Sequence, residues 1–205
     1  MVGFVSAEFL SPLDPIDIHG NKLPHWQQGR AWQFITFRLR DSLPADFLNP
    51  HREQRKAWLA LHPKPWSAEC QREYHNEFTK QIEELLDRGC GACVLRNPEK
   101  RQALAAVLMR DETVRAEFAC WVIMPNHVHV LCSPGTGLSK LVGSWKSISA
   151  REIGDGALWQ TNYRDTIIRN AVHFAAVVRY IRNNPANLPS DSFTLWESEQ
   201  ARKIP

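Results

Sequence analysis

The sequence predicts an α+β domain, and three observations carry that reading. Two β-favouring runs, VRAEFACWVIM (114–124) and HVHVLCS (127–133), are split only by the Pro125-Asn126 turn signal, the pattern of a hairpin. LSKLVGSWKSISAREI (138–153) sets Leu138, Leu141, Val142, Trp145 and Ile148 on one stripe, the spacing of an amphipathic helix. AVHFAAVVRYIRNN (171–184) repeats that helical pattern and ends at Pro185, which cannot continue a helix. Strands mixed with helices in 205 residues fit one domain with a sizeable core, or one domain plus a helical insertion.

The remaining elements follow in order. Residues 1–31 are rich in Pro, Gly and polar residues and read as an extended N-terminal arm. WQFITFRLR (32–40) is β-branched and aromatic, and DSLP bounds it, so it reads as a strand. A short helical stretch is expected within 45–62, and a longer helix from about Ser67 to Arg88 with Gly89 placed to end it. Tyr74, Phe78, Ile82, Leu85 and Leu86 recur there at helical spacing and predict a buried face. Segment 45–90 as a whole reads as a helical insertion. PEKRQALAAVLMRDE (98–112) predicts a further helix, LWQTNYRDTIIR (158–169) a strand or extended loop, and the tail an irregular segment.

Composition narrows the function classes. No run approaches the ~18 apolar residues of a membrane span, and MVGFVSAEFLSPLDPID lacks a basic leader with an apolar core, so the expectation is a cytoplasmic protein without membrane contact. Five scattered cysteines suit reduced thiols better than a disulfide framework. Cys90-Gly-Ala-Cys93 has CxxC spacing, but no second pair accompanies it at a zinc-site distance. Residues 138–185 carry seven basic side chains (Lys140, Lys146, Arg151, Arg164, Arg169, Arg179, Arg182) against three acids (Glu152, Asp155, Asp165), a local +4 within a net +3. A polyanion partner requires such a face, though an ordinary solvated surface also fits so small an excess.

His127-Val128-His129 is the sharpest local feature. On a strand, residues two apart share a face, so both imidazoles stand about 6–7 Å apart at their β-carbons. Neutral imidazoles so placed can share one divalent cation; two histidines lining a polar sheet face is the plainer alternative. On the last helix, Phe174, Val177, Val178 and Ile181 form the buried stripe, and Tyr180 and Asn184 sit one above the other on its flank. A phenol and an amide oxygen thus share one face. His173 lies on the same helical line and is more simply a surface histidine.

MPNHVHVL, followed by LWQTNYRDTIIRN and then YIRNNP, resembles the single-tyrosine HUH transposases, and above all the REP-associated tyrosine transposases. His127-Val128-His129 matches their His-apolar-His motif, Tyr180 to Pro185 their Tyr-Ile-x-x-Asn-Pro helix motif, and Trp159, Gln160, Tyr163 and Arg164 the intervening motif. The match is clearest over the core motifs at 114–185, with 32–40 as the family's first strand. It implies a central antiparallel sheet flanked by helices (the HUH nuclease, ferredoxin-like arrangement), with the HUH strand central and the tyrosine helix across it. Tyr180 is then the nucleophile, and His127, His129 and Asn184 hold Mg²⁺ or Mn²⁺, the nitrogen ligands favouring Mn²⁺. Segment 45–90 departs from the minimal family core.

The activity so implied is nicking and rejoining of single-stranded DNA through a 5′-phosphotyrosine, on palindromic extragenic repeats that fold into hairpins. Trp159 and Tyr163, with Trp145 less suited, are candidate base stackers, Gln160 belongs to the same motif, and the seven basic residues are candidate phosphate contacts. The resemblance places the protein in the cytoplasm at the nucleoid, as monomer or homodimer. A hairpin-binding regulator that no longer cuts is the alternative, and an unrelated metallohydrolase with a structural Tyr180 is a third reading.

Overall fold

The computed structural model describes residues 9–19, 25–63, 65–154 and 156–205; Asp155 and parts of the N-terminal arm lie outside them. The chain divides into two compact units, one of residues 1–40 and 94–205 and one of residues 41–93.

The larger unit is built on a five-stranded antiparallel sheet flanked by helices, as the α+β reading requires. Its strands are β3 (Gln33–Arg38), β4 (Ala116–Ile123), β5 (His127–Pro134), β6 (Arg164–Ile167) and β7 (Thr194–Glu197), in the order β6-β3-β5-β4-β7. The 114–133 hairpin signal gives β4 and β5, closed where the Met124 amide donates to the His127 carbonyl at 2.9 Å. β5 is therefore the middle strand, and all eight of its residues are buried.

Alternation along the strands separates two cores. On one face Ile35, Phe37, Leu39, Val128, Val130 and Cys132 meet α4 (Pro98–Met109) and α5 (Leu138–Ile153) through Leu104, Leu108, Leu141 and Trp145. On the other, Trp32, Phe34 and Leu131 meet α6 (Ala171–Asn183) through Phe174, Val177, Val178 and Ile181, the stripe read from the sequence. Local signals set the helix ends: the Asn97 side chain caps α4, Asn170 caps α6, and Gly154 at φ 73° closes α5 in the left-handed region.

Two segments differ from the sequence reading. Part of the N-terminal arm forms a hairpin of β1 (Asp17–His19) and β2 (His25–Gln27), tied to the sheet where His25 Nδ1 and Asp165 Oδ1 lie 2.5 Å apart. The tail is ordered: β7 pairs with β4, and the four-residue α7 (Glu199–Arg202) follows. Neither has a hydrophobic period long enough to be seen in sequence, and both are held by partners distant in the chain.

The smaller unit is helical: α1 (Ala45–Leu61), α2 (Ala68–Tyr74), a π-turn over His75–Thr79 and α3 (Lys80–Asp87). α1 is longer than the short stretch expected, and it holds Pro50. Ser67 caps α2, and Gly89 at φ 70° follows α3. Trp58, Trp66, Tyr74 and Phe78 make an aromatic core, with the Trp58 and Trp66 ring centroids 5.2 Å apart.

Trp145 is fully buried between Phe37 and Phe118, and its indole donates to Asp111 Oδ2 at 2.8 Å. Trp145→Ala is expected to cost about 3–5 kcal/mol in urea unfolding, the range for removing a packed aromatic side chain. Trp145→Phe keeps most of the packing and loses the bond to Asp111, so it should cost less.

A candidate metal and nucleophile site between sheet and helix

β5 delivers His127 and His129 to the face covered by α6, while Val128 and Val130 enter the opposite core. Both imidazoles are buried, and their Nε2 atoms approach to 3.1 Å. Each ring is oriented from behind. His127 Nδ1 lies 2.8 Å from Asn126 Oδ1, so it carries the proton and donates, which leaves the Nε2 lone pair facing inwards. His129 Nδ1 lies 2.8 Å from Thr36 Oγ1 on the neighbouring strand. The β3–β5 register, which pairs Thr36 with His129 and Arg38 with His127, makes that contact possible.

α6 supplies the remaining groups. The Tyr180 ring centroid lies 5.3 Å from that of His129 and 5.7 Å from that of Phe34, both edge-on. The Asn184 side chain, one turn further on, hydrogen-bonds His127. Tyr180 and Asn184 therefore meet the histidine pair from one helix, as their four-residue spacing requires.

Burial decides the electrostatics. Desolvation pushes the His127 imidazolium down to about 3, against a smaller opposing effect of the Asn184 hydrogen bond, and the Arg38 charge lowers it further. His129 lies well below its ordinary value through desolvation, the adjoining His127 and the Arg164 charge. Both rings are neutral near pH 7, the form in which imidazole binds a metal. Two donors at ~2.1 Å from one ion and at right angles would stand about 3 Å apart, so the 3.1 Å between the Nε2 atoms suits a shared cation. Two nitrogens with the Asn184 amide oxygen form a mixed donor set of the kind Mn²⁺ or Mg²⁺ accepts. Among the described residues no group of three or more His, Cys, Asp or Glu side chains is placed to hold a metal.

The structure sorts the other residues singled out in the sequence. Lys140, Arg151, Arg164, Arg169 and Arg179 are exposed, and Gln160 is half-buried. Trp159 and Tyr163 are only 8% and 9% exposed, so they do not form a stacking surface. The Trp159 indole donates to Ser149, and Tyr163 stacks on His25 with ring centroids 3.7 Å apart. Lys146 donates to the carbonyls of Gln160, Thr161 and Asn162, which fastens that loop instead of facing solvent. Arg182 binds Glu197 and the carbonyls of Ala201 and Ile204, which anchors the tail to α6. His173 Nδ1 accepts from the Arg169 amide at the start of α6. Cys93 is buried, and its thiol donates to the Gly89 carbonyl.

Thr36, Phe34, Asn126 and Arg38 complete the site and escaped sequence reasoning. Alternation in WQFITFRLR puts Phe34, Thr36 and Arg38 on one face, but only the pairing register shows that this face is the histidine face.

Two outcomes test this geometry. His127 has a folded-state value of about 3 against an ordinary 6.5, so between these pH values the unfolded chain binds a proton that the folded chain refuses. Stability should therefore fall as pH drops below ~6.5, by up to about 1.4 kcal/mol per pH unit for each such ring. Urea unfolding in EDTA at pH 7.5, 6 and 5 should show a shallower decline for His127→Gln. Separately, Lys146→Met should lower stability by about 1–3 kcal/mol, whereas exposed Lys140→Met should leave the thermal midpoint almost unchanged.

Residues 94–184 match the family model described as "Transposase IS200 like". No curated protein matches the sequence. Among solved structures, one of a REP-associated tyrosine transposase bound to a REP hairpin is similar at 18% identity, over 82% of this chain and 74% of that one, with a TM-score of 0.46. The matched stretch carries the histidine pair, the tyrosine helix and Asn184.

Proposed function

We propose that this chain is a divalent-metal-dependent endonuclease and strand transferase of single-stranded DNA that works through a 5′-phosphotyrosine intermediate. One observation carries the reading: a sheet-borne imidazole pair and a helix-borne phenol meet within the stretch that matches the IS200-like transposase model, with the His129 and Tyr180 ring centroids 5.3 Å apart. Tyr180 is the nucleophile, and His127, His129 and Asn184 are the metal ligands. Bound Mg²⁺ or Mn²⁺ supplies charge neutralisation and orientation of the phosphate.

A free phenol ionises near pH ~10, so the Tyr180 proton must be drawn off as attack begins. The phenolic oxygen forms a bond to phosphorus while the bond from phosphorus to the 3′-oxygen breaks, and the departing oxygen takes up a proton. The products are a 5′-phosphotyrosine and a 3′-hydroxyl. Attack by another 3′-hydroxyl reverses these steps and frees the phenol, so rejoining needs no ATP. Phenoxide leaves more readily than a serine alkoxide, which suits tyrosine to the second step.

The motif resemblance points to hairpin-forming extragenic palindromes as substrate, single-stranded near the cut so that the backbone reaches a helix-mounted phenol. The exposed Lys140, Arg151, Arg164, Arg169 and Arg179 are the phosphate contacts in this reading. Work on chromosomal DNA places the protein in the cytoplasm at the nucleoid. No helix among the described residues is long and apolar enough to cross a membrane.

Incubation with hairpin-bearing single-stranded DNA and Mn²⁺ or Mg²⁺, resolved on a denaturing gel, should yield a covalent protein–DNA adduct. Tyr180→Phe should abolish the adduct, and His127→Ala should remove cleavage while leaving hairpin binding largely intact. Binding without any adduct from the parent protein would instead identify a regulator. Turnover that survives Tyr180→Phe would identify a different hydrolase.

A further inference from the structure

The sheet face that carries the histidine pair bears two arginines on its β3–β6 side. β3 pairs Arg38 with His127 and Thr36 with His129, and β6, the next strand out, pairs Arg164 with the same Thr36. Residues paired across neighbouring antiparallel strands project from the same face. Arg164, Thr36 and His129 therefore form one row across three strands, and Arg38 and His127 form the row beside it. On the far side of His129 that row continues through Val122 and Leu195, both apolar.

Strand spacing of about 4.8 Å sets the Arg38 backbone one spacing from His127 and the Arg164 backbone two spacings from His129. Both are within reach of an extended arginine side chain. Arg164 is exposed and Arg38 half-buried, and both charges are felt at the imidazoles beside them. The named groups around the histidines (Thr36, Asn126, Tyr180 and Asn184) are neutral polar residues. An anion approaching from the β3–β6 side thus meets two guanidinium groups before the histidines, whereas on the β4–β7 side the histidine row continues through hydrocarbon and the nearby Glu197 is held by Arg182. Guanidinium grips a phosphate through two parallel N–H bonds, which holds orientation as well as charge.

We infer that Arg38 and Arg164 form a two-guanidinium cradle for the DNA backbone. Arg38 holds the phosphate that Tyr180 attacks, and Arg164 holds a neighbouring one. The strand therefore enters over the β6 edge of the sheet and lies across β3 towards His127. This assignment rests on the nuclease reading above for the identity of the cut phosphate, and on the strand register for everything else.

The test is a non-additivity measurement in the Tyr180→Phe background, which binds without cutting. A hairpin-bearing single-stranded oligonucleotide is titrated by fluorescence anisotropy in Mg²⁺. A single neutral methylphosphonate is then walked through the strand. Arg38→Gln should weaken binding of the all-phosphate strand about tenfold, the value of one charge-assisted pair of ~1.4 kcal/mol. One methylphosphonate position should weaken the parent by a similar factor, and the two losses together should not exceed either alone. Arg164→Gln should show the same behaviour one or two phosphates away. A merely structural arginine would lose affinity equally at every position.

Arg38→Lys, which keeps charge and length but not the fork, should fold where Arg38→Gln fails and should weaken binding about threefold at the same phosphate. Undiminished affinity in the folded variant, or losses that add at every position, overturns the cradle. The adduct assay on the parent protein separates the two claims. No adduct with non-additivity intact removes the nuclease and leaves the cradle as a DNA-binding site. An adduct whose site coincides with the methylphosphonate position masked by Arg38→Gln supports both.

Discussion

The register between β3 and β5 is the constraint on which the rest of the larger unit depends. Because side chains alternate, slipping that pairing by one residue would turn Phe34, Thr36 and Arg38 away from the histidines and drive Ile35 and Phe37 out of the opposite core. The cost would be several buried apolar side chains, each worth roughly 1.5–3 kcal/mol, so the register is held by hydrophobic burial and not by the polar contacts it creates. The Thr36–His129 hydrogen bond is a consequence of packing on the far side of the sheet.

The same burial creates the tension within the site. Two imidazoles in a dry interior are kept neutral, the form in which a ring nitrogen has a lone pair to offer a metal. Burying them would be costly without partners, and the partners are present: Asn126 and Asn184 for His127, Thr36 for His129. Each contact also fixes a ring orientation. Polar satisfaction and preorganisation are thus one arrangement, with the two Nε2 atoms turned towards each other.

α6 answers a matching constraint from the other side. Its apolar stripe fastens it to β4 and β5, and Tyr180 and Asn184 stand at the edge of that stripe, neither buried with Val178 nor exposed with Arg179. Arg182 ties the helix to the tail and so fixes where the stripe begins and ends against the sheet. A residue that looked in sequence like a surface cation is part of the scaffold that aims the tyrosine helix. Lys146 is a parallel case, its ammonium spent on three loop carbonyls. Basic character read along a chain does not distinguish solvated cations from internal clamps, because the distinction lies in where carbonyls from other segments end up.

By itself the sequence determined the α+β class, the β4–β5 hairpin, the helices at 138–153 and 171–183, and the pairing of residues within each element: His127 with His129 on one strand face, Tyr180 with Asn184 on one helix line. These are local matters, set by periods of two and 3.6 residues and by turn and capping chemistry that neighbouring residues express. Tertiary structure alone decided that β5 is the middle strand, that Thr36 and Arg38 share the histidine face, that Trp159 and Tyr163 are core rather than platform, and that the tail adds an edge strand. Each of these depends on which distant segments pair and in what register. That choice is made by the collective burial of two cores and leaves no period of its own in the chain.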